Sequence, residues 1–208
     1  MPLIDAPQGT PEWRAARLGK VTASRIADLT AKTKTGPSAS RANYMAELAL
    51  ERLTGEPMEK FQSAAMLNGS LREPEARERY ELQTGCMVYE TGFWLHPTIS
   101  DAGASPDGLI DEDGGLEIKC PEPKAHMETL LSGTVSDPYF KQCQWNMACT
   151  GRAWWHYTSF NPAFPEKMRL CIIPLKRDLR LIEDLEGQVR AFLAELADKV
   201  EELRKRYG

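Results

Sequence analysis

Three side chains, Asp107, Glu117 and Lys119, have the chemistry and spacing of a phosphate-cleaving site. Glu117 and Lys119 flank Ile118 in a β-prone run, and Asp107 lies in the segment Ser-Pro-Asp-Gly-Leu at 105–109. Alternate side chains of a strand share a face, so Glu117 and Lys119 should point together while Ile118 enters the core. A short hairpin between the two segments would bring Asp107 beside Glu117.

Close carboxylates repel each other, and a divalent cation relieves that repulsion. Hard oxygen ligands favour Mg²⁺ or Mn²⁺. Such an ion can polarise a phosphodiester and stabilise the departing oxygen. Lys119 could position or deprotonate the attacking water and offset charge on the phosphate. From these residues alone a second interpretation stays open, an exposed ion pair across a solvated hairpin.

The elements that must position these residues follow from hydrophobic periodicity and turn signals. Gly and Asp residues at 111–115 predict the hairpin turn, and 31–40 is a candidate mobile loop. Pro74 predicts a kink or a new helix beginning near Leu71. Helices are predicted at 10–18, 22–29, 41–54, 61–84, 123–132, 136–150 and 178–206, and strands at 86–95, 107–110, 116–120, 153–160 and 167–175. Helices around a central mixed sheet indicate an α/β (α+β) fold.

Length and composition limit the classes of protein to which this chain can belong. The 208 residues suit one domain, 1–208, with 176–208 as a C-terminal helical extension. The net charge of −4 argues against a uniformly cationic DNA-binding surface but permits local cations in a cleft or ring. The five cysteines form no C-x-x-C pair, and the three histidines lack zinc-ligand spacing. With no membrane span or leader pattern, a cytoplasmic location is expected.

Four ordered motifs resemble one nuclease family. The segments Ser-Pro-Asp-Gly-Leu and Leu-Glu-Ile-Lys-Cys-Pro resemble the PD-(D/E)xK signature of the lambda exonuclease and YqaJ-type viral recombinase family. The opening at 13–24 resembles its W-x-x-x-R-x-G…TAS motif, 68–73 its G-x-x-x-E helix, and 139–144 its Y-x-x-Q-x-Q helix. The match covers about residues 10–160. It implies a restriction-endonuclease-like core.

The resemblance implies how the metal site is built. Asp107 and Glu117 would bind two Mg²⁺ ions (or Mn²⁺), with the backbone carbonyl of Ile118 as a further ligand. Lys119 would act on the attacking water. Glu73, on the preceding helix, would support the second ion or the nucleophile.

The resemblance also assigns residues outside the metal site. Gln142 and Gln144 lie two apart on a predicted helix and cannot fully share a face. The family motif favours Gln142 as the one that reaches the active site. Lys32 and Lys34 would follow the DNA backbone or the minor groove as point charges, and Met66 would be an apolar wedge at the terminal base pairs.

A 5′-phosphate pocket is a further implication of the resemblance. Arginine grips phosphate bidentately and hydroxyls donate hydrogen bonds to it. The residues that match this pocket are Arg17, Ser24 and Ser105. The sequence departs from the family at Ala125, where an arginine is expected. Lys124, or else His126, would take its place.

Together these features predict a 5′→3′ exonuclease that degrades one strand of linear double-stranded DNA to mononucleotides. The resemblance implies 3′ overhangs for recombination, a homotrimeric ring, a single-strand-annealing partner, a 5′-phosphorylated DNA end, and phage or prophage origin in the bacterial cytosol. A restriction-like or junction-resolving endonuclease on the same core remains an alternative. So does a DNA-end-binding protein with an inactive nuclease fold, although intact Asp107, Glu117 and Lys119 count against it.

Overall fold

A computed structural model describes residues 2–34, 36–58 and 64–208 of the protein, without the side chains of 64–68 and 70. The strands of these residues form two mixed sheets and a small hairpin. The strands are β1 Leu3–Ile4, β2 Val21–Thr22, β3 Lys32–Thr33, β4 Gly36–Pro37, β5 Val88–Tyr89, β6 Phe93–Leu95, β7 Ala102–Ala104, β8 Gly108–Ile110, β9 Gly114–Lys119, β10 Trp154–Phe160 and β11 Leu170–Lys176. The helices are α1 Pro11–Arg17, α2 Ile26–Thr30, α3 Ala39–Thr54, α4 Ala64–Thr84, α5 Pro123–Ser132, α6 Asp137–Thr150 and α7 Leu179–Tyr207.

The five-stranded sheet, in the order β11-β10-β9-β8-β5, carries the predicted chemistry. Strands β9 and β10 are parallel and the other neighbours are antiparallel, so the sheet is mixed as predicted. The predicted hairpin is confirmed, because Gly108 of β8 pairs with Leu116 of β9. A second sheet, in the order β1-β6-β7-β2, joins the N-terminal segment to the middle of the chain.

Helices α4 and α6 pack on the large sheet through two separate hydrophobic clusters, and each cluster contains different residues of its strands. Ala76 and Tyr80 of α4 cluster with Leu116 and Ile118 of β9. The other cluster joins Cys143 and Met147 of α6 to β8, β10 and neighbouring residues. The alternation of side chains along β9 therefore decides which residues pack beneath α4 and which meet α6.

Helix α7 packs through an apolar stripe at the predicted helical spacing. Its buried positions are Ile182, Leu185, Val189, Phe192, Leu196 and Val200. All of them except Ile182 share one hydrophobic cluster with α2, α3 and α6. The helix begins at Leu179, because Lys176 still belongs to β11. This segment is thus part of the core as well as a C-terminal extension.

Two predicted elements are wrong in extent. Residues 86–95 form β5 and β6 of different sheets, because the chain passes close to another backbone at Gly92, where a Cβ would overlap the Ile4 carbonyl and Ala6. Residues 31–40 contain the β3–β4 pair and the capped start of α3, so they are not simply a loop.

Three further differences are local. Helix α4 runs through Pro74 without a new start near Leu71. The predicted helix 22–29 opens with a 3-10 turn at Ala23–Arg25. The strand predicted from 167 begins at Leu170, after a second 3-10 turn.

Two glycine replacements are expected to change stability in opposite directions. In Gly115→Ala the new methyl would overlap the ring of buried Trp155 on the neighbouring strand, which should cost about 1–3 kcal/mol of unfolding free energy. In Gly187→Ala the methyl meets no atom and α7 gains helix propensity, so about 0.5–1 kcal/mol should be gained. Urea unfolding measures both, and equal shifts of the two variants would contradict the packing at β9.

Candidate active site

The carboxylate of Glu117 lies inside the protein, on the side of β9 that faces α6. Its residue is fully buried, and Lys119 donates to its Oε1 at 2.6 Å. Ile118 points the other way and packs with α4. The alternative of a solvated ion pair on a hairpin is therefore wrong, because one partner has no contact with solvent.

Asp107 immediately precedes β8 and is tied to β9 by a backbone contact. Its Oδ2 accepts from the amide of Ile118 at 2.7 Å. This bond fixes Asp107 beside the segment that contains Glu117 and Lys119, as the hairpin predicts. Glu73 on α4 is close enough to Asp107 for the two charges to interact.

Helix α6 holds the Glu117 carboxylate through two amides. Gln142 Nε2 donates to Oε1 at 2.5 Å, and Asn146 Nδ2 donates to Oε2 at 2.8 Å. Gln144 points elsewhere, bonding the Lys176 carbonyl and the Asp178 amide. The sequence prediction overlooked Asn146. The signal that could have found it is its position one helical turn after Gln142.

Lys119 has an aromatic neighbour besides its carboxylate partner. Its Nζ lies 5.3 Å from the ring centroid of Tyr139, which is stacked on Tyr157 at 5.6 Å. A cation held over a ring and against a carboxylate has little freedom to move. Lys119 is therefore a fixed charge at the mouth of the site.

The carboxyl groups of the site resist ionisation. Burial and the nearby charge of Asp107 raise the pKa of Glu117 to about 7 and that of Glu73 to about 7. Burial also raises the pKa of Asp107. Burial alone would lower the pKa of Lys119, but Glu117 and Asp107 outweigh it and raise it, so this amine is protonated beside ionised carboxylates. When all three carboxyl groups ionise, the site holds more negative charge than Lys119 neutralises.

This excess of buried negative charge suits a divalent cation. In the described part of the chain no three carboxylate, imidazole or thiolate side chains already surround one point. Mg²⁺, however, commonly takes one or two carboxylates and completes its shell with water and substrate oxygens. Asp107, Glu117 and the carbonyl of Ile118, with Glu73 nearby, supply oxygen donors of the kind it prefers. The residues present therefore fit the ion.

A cation and a hydroxyl of the predicted phosphate pocket are in contact. Arg17 Nη1 donates to Ser105 Oγ at 2.8 Å, and Trp13 Nε1 donates to the same oxygen at 2.9 Å. The Arg17 guanidinium stacks on Trp13, 4.1 Å from the ring centroid, and burial lowers its pKa to about 10. Arg17 borders a cavity of about 390 Å³ that Arg14 and Lys20 also line. Glu51 also lines this cavity and Ser105 does not, and Trp13 is a neighbour of the Arg17–Ser105 pair that the predicted set lacked.

The other predicted pocket residues do not contact this pair. Ser24 is exposed, and no hydrogen bond of its side chain is present within the described chain. Lys124 has 86% of its side chain exposed, with its Nζ 4.0 Å from Glu128. His126 cannot replace the missing arginine, because it is buried and both ring nitrogens bond to Ser159 and the Met168 carbonyl.

Two of the three predicted DNA-contacting residues have side chains that the structure describes. Lys32 in β3 and Lys34 in the following turn are both exposed. Met66 falls in α4, and its side chain lies outside the described residues. The roles of all three stay predictions.

Comparison with known proteins identifies the class. The model of the YqaJ-like viral recombinase domain matches residues 12–153, and the chain belongs to this family. Among solved structures it is similar to an alkaline exonuclease, LHK-Exo, from Laribacter hongkongensis. The two share 48% identity over 95% of this chain and 97% of that one, with a TM-score of 0.88.

Further comparisons support the fold. The complex of LHK-Exo with dAMP superposes with a TM-score of 0.89 at the same identity and coverage. A phage-related exonuclease from Haemophilus somnus shares only 14% identity, but it has the same fold over 88% of this chain and 96% of that one, with a TM-score of 0.70. No curated protein matches the sequence. Among the described residues, no helix has the length and apolar character needed to cross a membrane.

The raised carboxyl pKa values predict a pH-dependent stability of the metal-free protein. Below about pH 4.5 Glu73 is protonated in both states, whereas near neutral pH the folded state holds its proton more tightly than the unfolded one. The contribution of Glu73 to the free energy of unfolding therefore falls as pH rises from the unfolded pKa of 4.5 through the folded pKa of about 7. Glu73→Gln should gain on the order of 1 kcal/mol at pH 8 and nothing at pH 4, in denaturation with a chelator present. Glu75→Gln, an exposed neighbour on α4, is the control, and a gain independent of pH would contradict the prediction.

Proposed function

We propose that the protein is a metal-dependent 5′→3′ exonuclease that degrades one strand of linear double-stranded DNA to mononucleotides. The observation that carries the proposal is the buried Glu117 carboxylate, held by a lysine and two amides beside Asp107. Its 48% identity to an alkaline exonuclease supports the same class of reaction. The product would be a duplex with a 3′ single-stranded overhang, suited to recombination by strand annealing.

The residues of the candidate site would have different roles in hydrolysis. Asp107, Glu117, the carbonyl of Ile118 and Glu73 would hold two Mg²⁺ ions, or Mn²⁺, which when bound polarise the phosphodiester and lower the pKa of water. Lys119 would orient the attacking water and offset charge that builds on the phosphate.

Two amides set the orientation of the central carboxylate. Gln142 and Asn146 each engage a different oxygen of Glu117, so the group cannot rotate freely. Oxygen positions fixed in this way favour an ion with strict octahedral geometry, such as Mg²⁺. Oε1 accepts from both Lys119 and Gln142, whereas Oε2 accepts from Asn146 alone, so Oε2 is the oxygen with a lone pair left for an ion.

The position of the Arg17–Ser105 pocket supports the polarity and the size of the product. Ser105 precedes Asp107 by two residues, and two extended residues span about 7 Å. An anion bound by Arg17 and Ser105 would therefore lie within about one nucleotide of the carboxylates. A strand anchored there by its 5′-phosphate would present its first internal phosphodiester to the metal site.

The assembly and setting of the enzyme are part of the proposal. A homotrimeric ring would enclose DNA with local cations while its outer face stays acidic, consistent with the net charge of −4. A single-strand-annealing protein would receive the overhang. The viral recombinase family supports phage or prophage origin and action in the bacterial cytosol.

Duplexes labelled at one end test this function. A linear duplex with a 5′-phosphate should release its 5′ label first, as a mononucleotide, with Mg²⁺ and not with a chelator. A closed circle of the same sequence should stay intact. Early release of the 3′ label would overturn the polarity, and cutting of the circle would favour the endonuclease alternative.

A further inference from the structure

We propose that Arg77 binds a phosphodiester of the DNA strand at a subsite next to the catalytic carboxylates, and that Glu90 occupies its guanidinium until DNA displaces it. The inference rests on the proposed function. Arg77 lies on α4, one helical turn after Glu73, so the two side chains share a face. Both line a cavity of about 370 Å³ that also contains Asp107 and Glu90.

Arg77 is the one cation among the described residues that line this cavity. Its Nη2 lies 3.5 Å from the Asp107 carbonyl. A phosphate drawn to Arg77 would therefore lie beside the carboxylates that hold the metal.

The donors of Arg77 are only partly used. Nη1 pairs with Glu90, while Nε is buried and has no partner within the described chain. A guanidinium has five N–H donors in a planar fork, and a phosphate can accept two of them in parallel. Nε is enclosed by protein, so the donors that a phosphate oxygen could reach are those of the terminal nitrogens, once Glu90 leaves Nη1.

Glu90 is suited to be displaced. Its side chain is 72% exposed, whereas that of Arg77 is 20% exposed. An ion pair with one partner in solvent contributes little to stability. A phosphate can accept from two nitrogens of the guanidinium, whereas Glu90 accepts from Nη1 alone, so exchange of Glu90 for DNA should be favourable.

Acidic residues also line this cavity, so we expect the metal ion to bind before the phosphate. Asp5, Glu73 and Asp107 would repel a phosphate in the absence of a counter-ion. A divalent cation on the catalytic carboxylates removes much of that repulsion. Binding through Arg77 is therefore expected with Mg²⁺ and not with a chelator.

Helix α4 provides a matched control. Arg79 also pairs with an exposed glutamate, Glu166, and its Nε is also buried without a partner in the described chain. It does not line the cavity. Arg77→Ala and Arg79→Ala thus remove the same group from the same helix, and only one removes it from the proposed subsite.

The test measures binding of a fluorescent duplex by anisotropy in a Lys119→Ala background, with Mg²⁺, between about 50 and 200 mM salt. Arg77→Ala should weaken binding about tenfold and lower the slope of log affinity against log salt by about 1, as expected for one lost phosphate contact. Arg79→Ala should change neither, and Glu90→Gln should tighten binding. In the parent background, Arg77→Lys should raise KM more than it lowers kcat.

Equal effects of Arg77→Ala and Arg79→Ala would overturn the inference, as would weaker binding with an unchanged salt slope. Thermal melts of each variant separate loss of fold from loss of contact. Binding needs no cleavage, so failure of the unmutated protein to cut DNA would refute the proposed function without deciding the role of Arg77.

Discussion

Lys119→Ala is expected to lower the rate of duplex cleavage by about 10²–10⁴-fold, the range associated with a positioned group that acts on a proton or a developing charge. Lys119 is the cation in direct contact with Glu117, and it is held in place by that carboxylate and by the ring of Tyr139. Its removal leaves the transition state without a nearby ammonium. Single-turnover rates on a 5′-phosphorylated duplex give the measurement.

Binding separates a catalytic effect from a structural one. Lys119→Ala should bind the duplex within a few-fold of the unmutated protein, because phosphate contacts elsewhere supply most of the affinity. Lys199→Ala, which removes an exposed lysine paired with Glu195 on α7, is the control and should cleave normally. Parental cleavage in Lys119→Ala would remove this residue from the mechanism. Absence of cleavage in the unmutated protein, with intact binding, would favour an inactive end-binding protein.

Arg17→Ala is expected to abolish the preference for a 5′-phosphorylated end. Charge-assisted hydrogen bonds contribute about 1.5–3 kcal/mol, which corresponds to a loss of roughly 10–150-fold in kcat/KM on the phosphorylated duplex. A duplex with a 5′-hydroxyl lacks the anion, so its rate should change little. The measurement is the ratio of the two kcat/KM values for each protein.

The hydroxyl-ended duplex is the internal control for folding. Arg17 stacks on Trp13, so its loss also removes packing, and a damaged fold would lower both rates together. Arg17→Lys keeps the charge but not the planar fork, and it should recover only part of the preference. A ratio that stays at its original value in Arg17→Ala would show that the 5′-phosphate binds elsewhere.

The arrangement of the candidate active site was predictable because it depends on local rules. Side-chain alternation in β9 and a hairpin with a Gly-rich turn are sufficient to place Asp107, Glu117 and Lys119 together. The apolar stripe of α7 was predictable for the same reason, since its helical spacing can be read directly from the chain. The family motifs added Arg17 and Gln142, whose partners lie far away in sequence.

The features that could not be predicted from the sequence depend on tertiary contacts. Strand β7 is Ala-Gly-Ala, which has no pattern of alternating hydrophobic residues, and Gly103 is required there because a Cβ would meet the ring of Phe93. Asn146 and Arg77 look like ordinary helix residues until the fold brings Glu117 and Asp107 beside them. His126 was a candidate cation by position, but burial in the core excludes it from phosphate binding.

Anomalous scattering from crystals soaked in Mn²⁺ tests most directly whether buried carboxylates recruit the ions that cut DNA. The account predicts a peak at about 2.0–2.3 Å from oxygens of Asp107 and Glu117, close to the carbonyl of Ile118. That peak should vanish in an Asp107→Asn, Glu117→Gln double variant that still folds. A Mn²⁺ peak bound only elsewhere, in a protein that still degrades duplex ends, would contradict it.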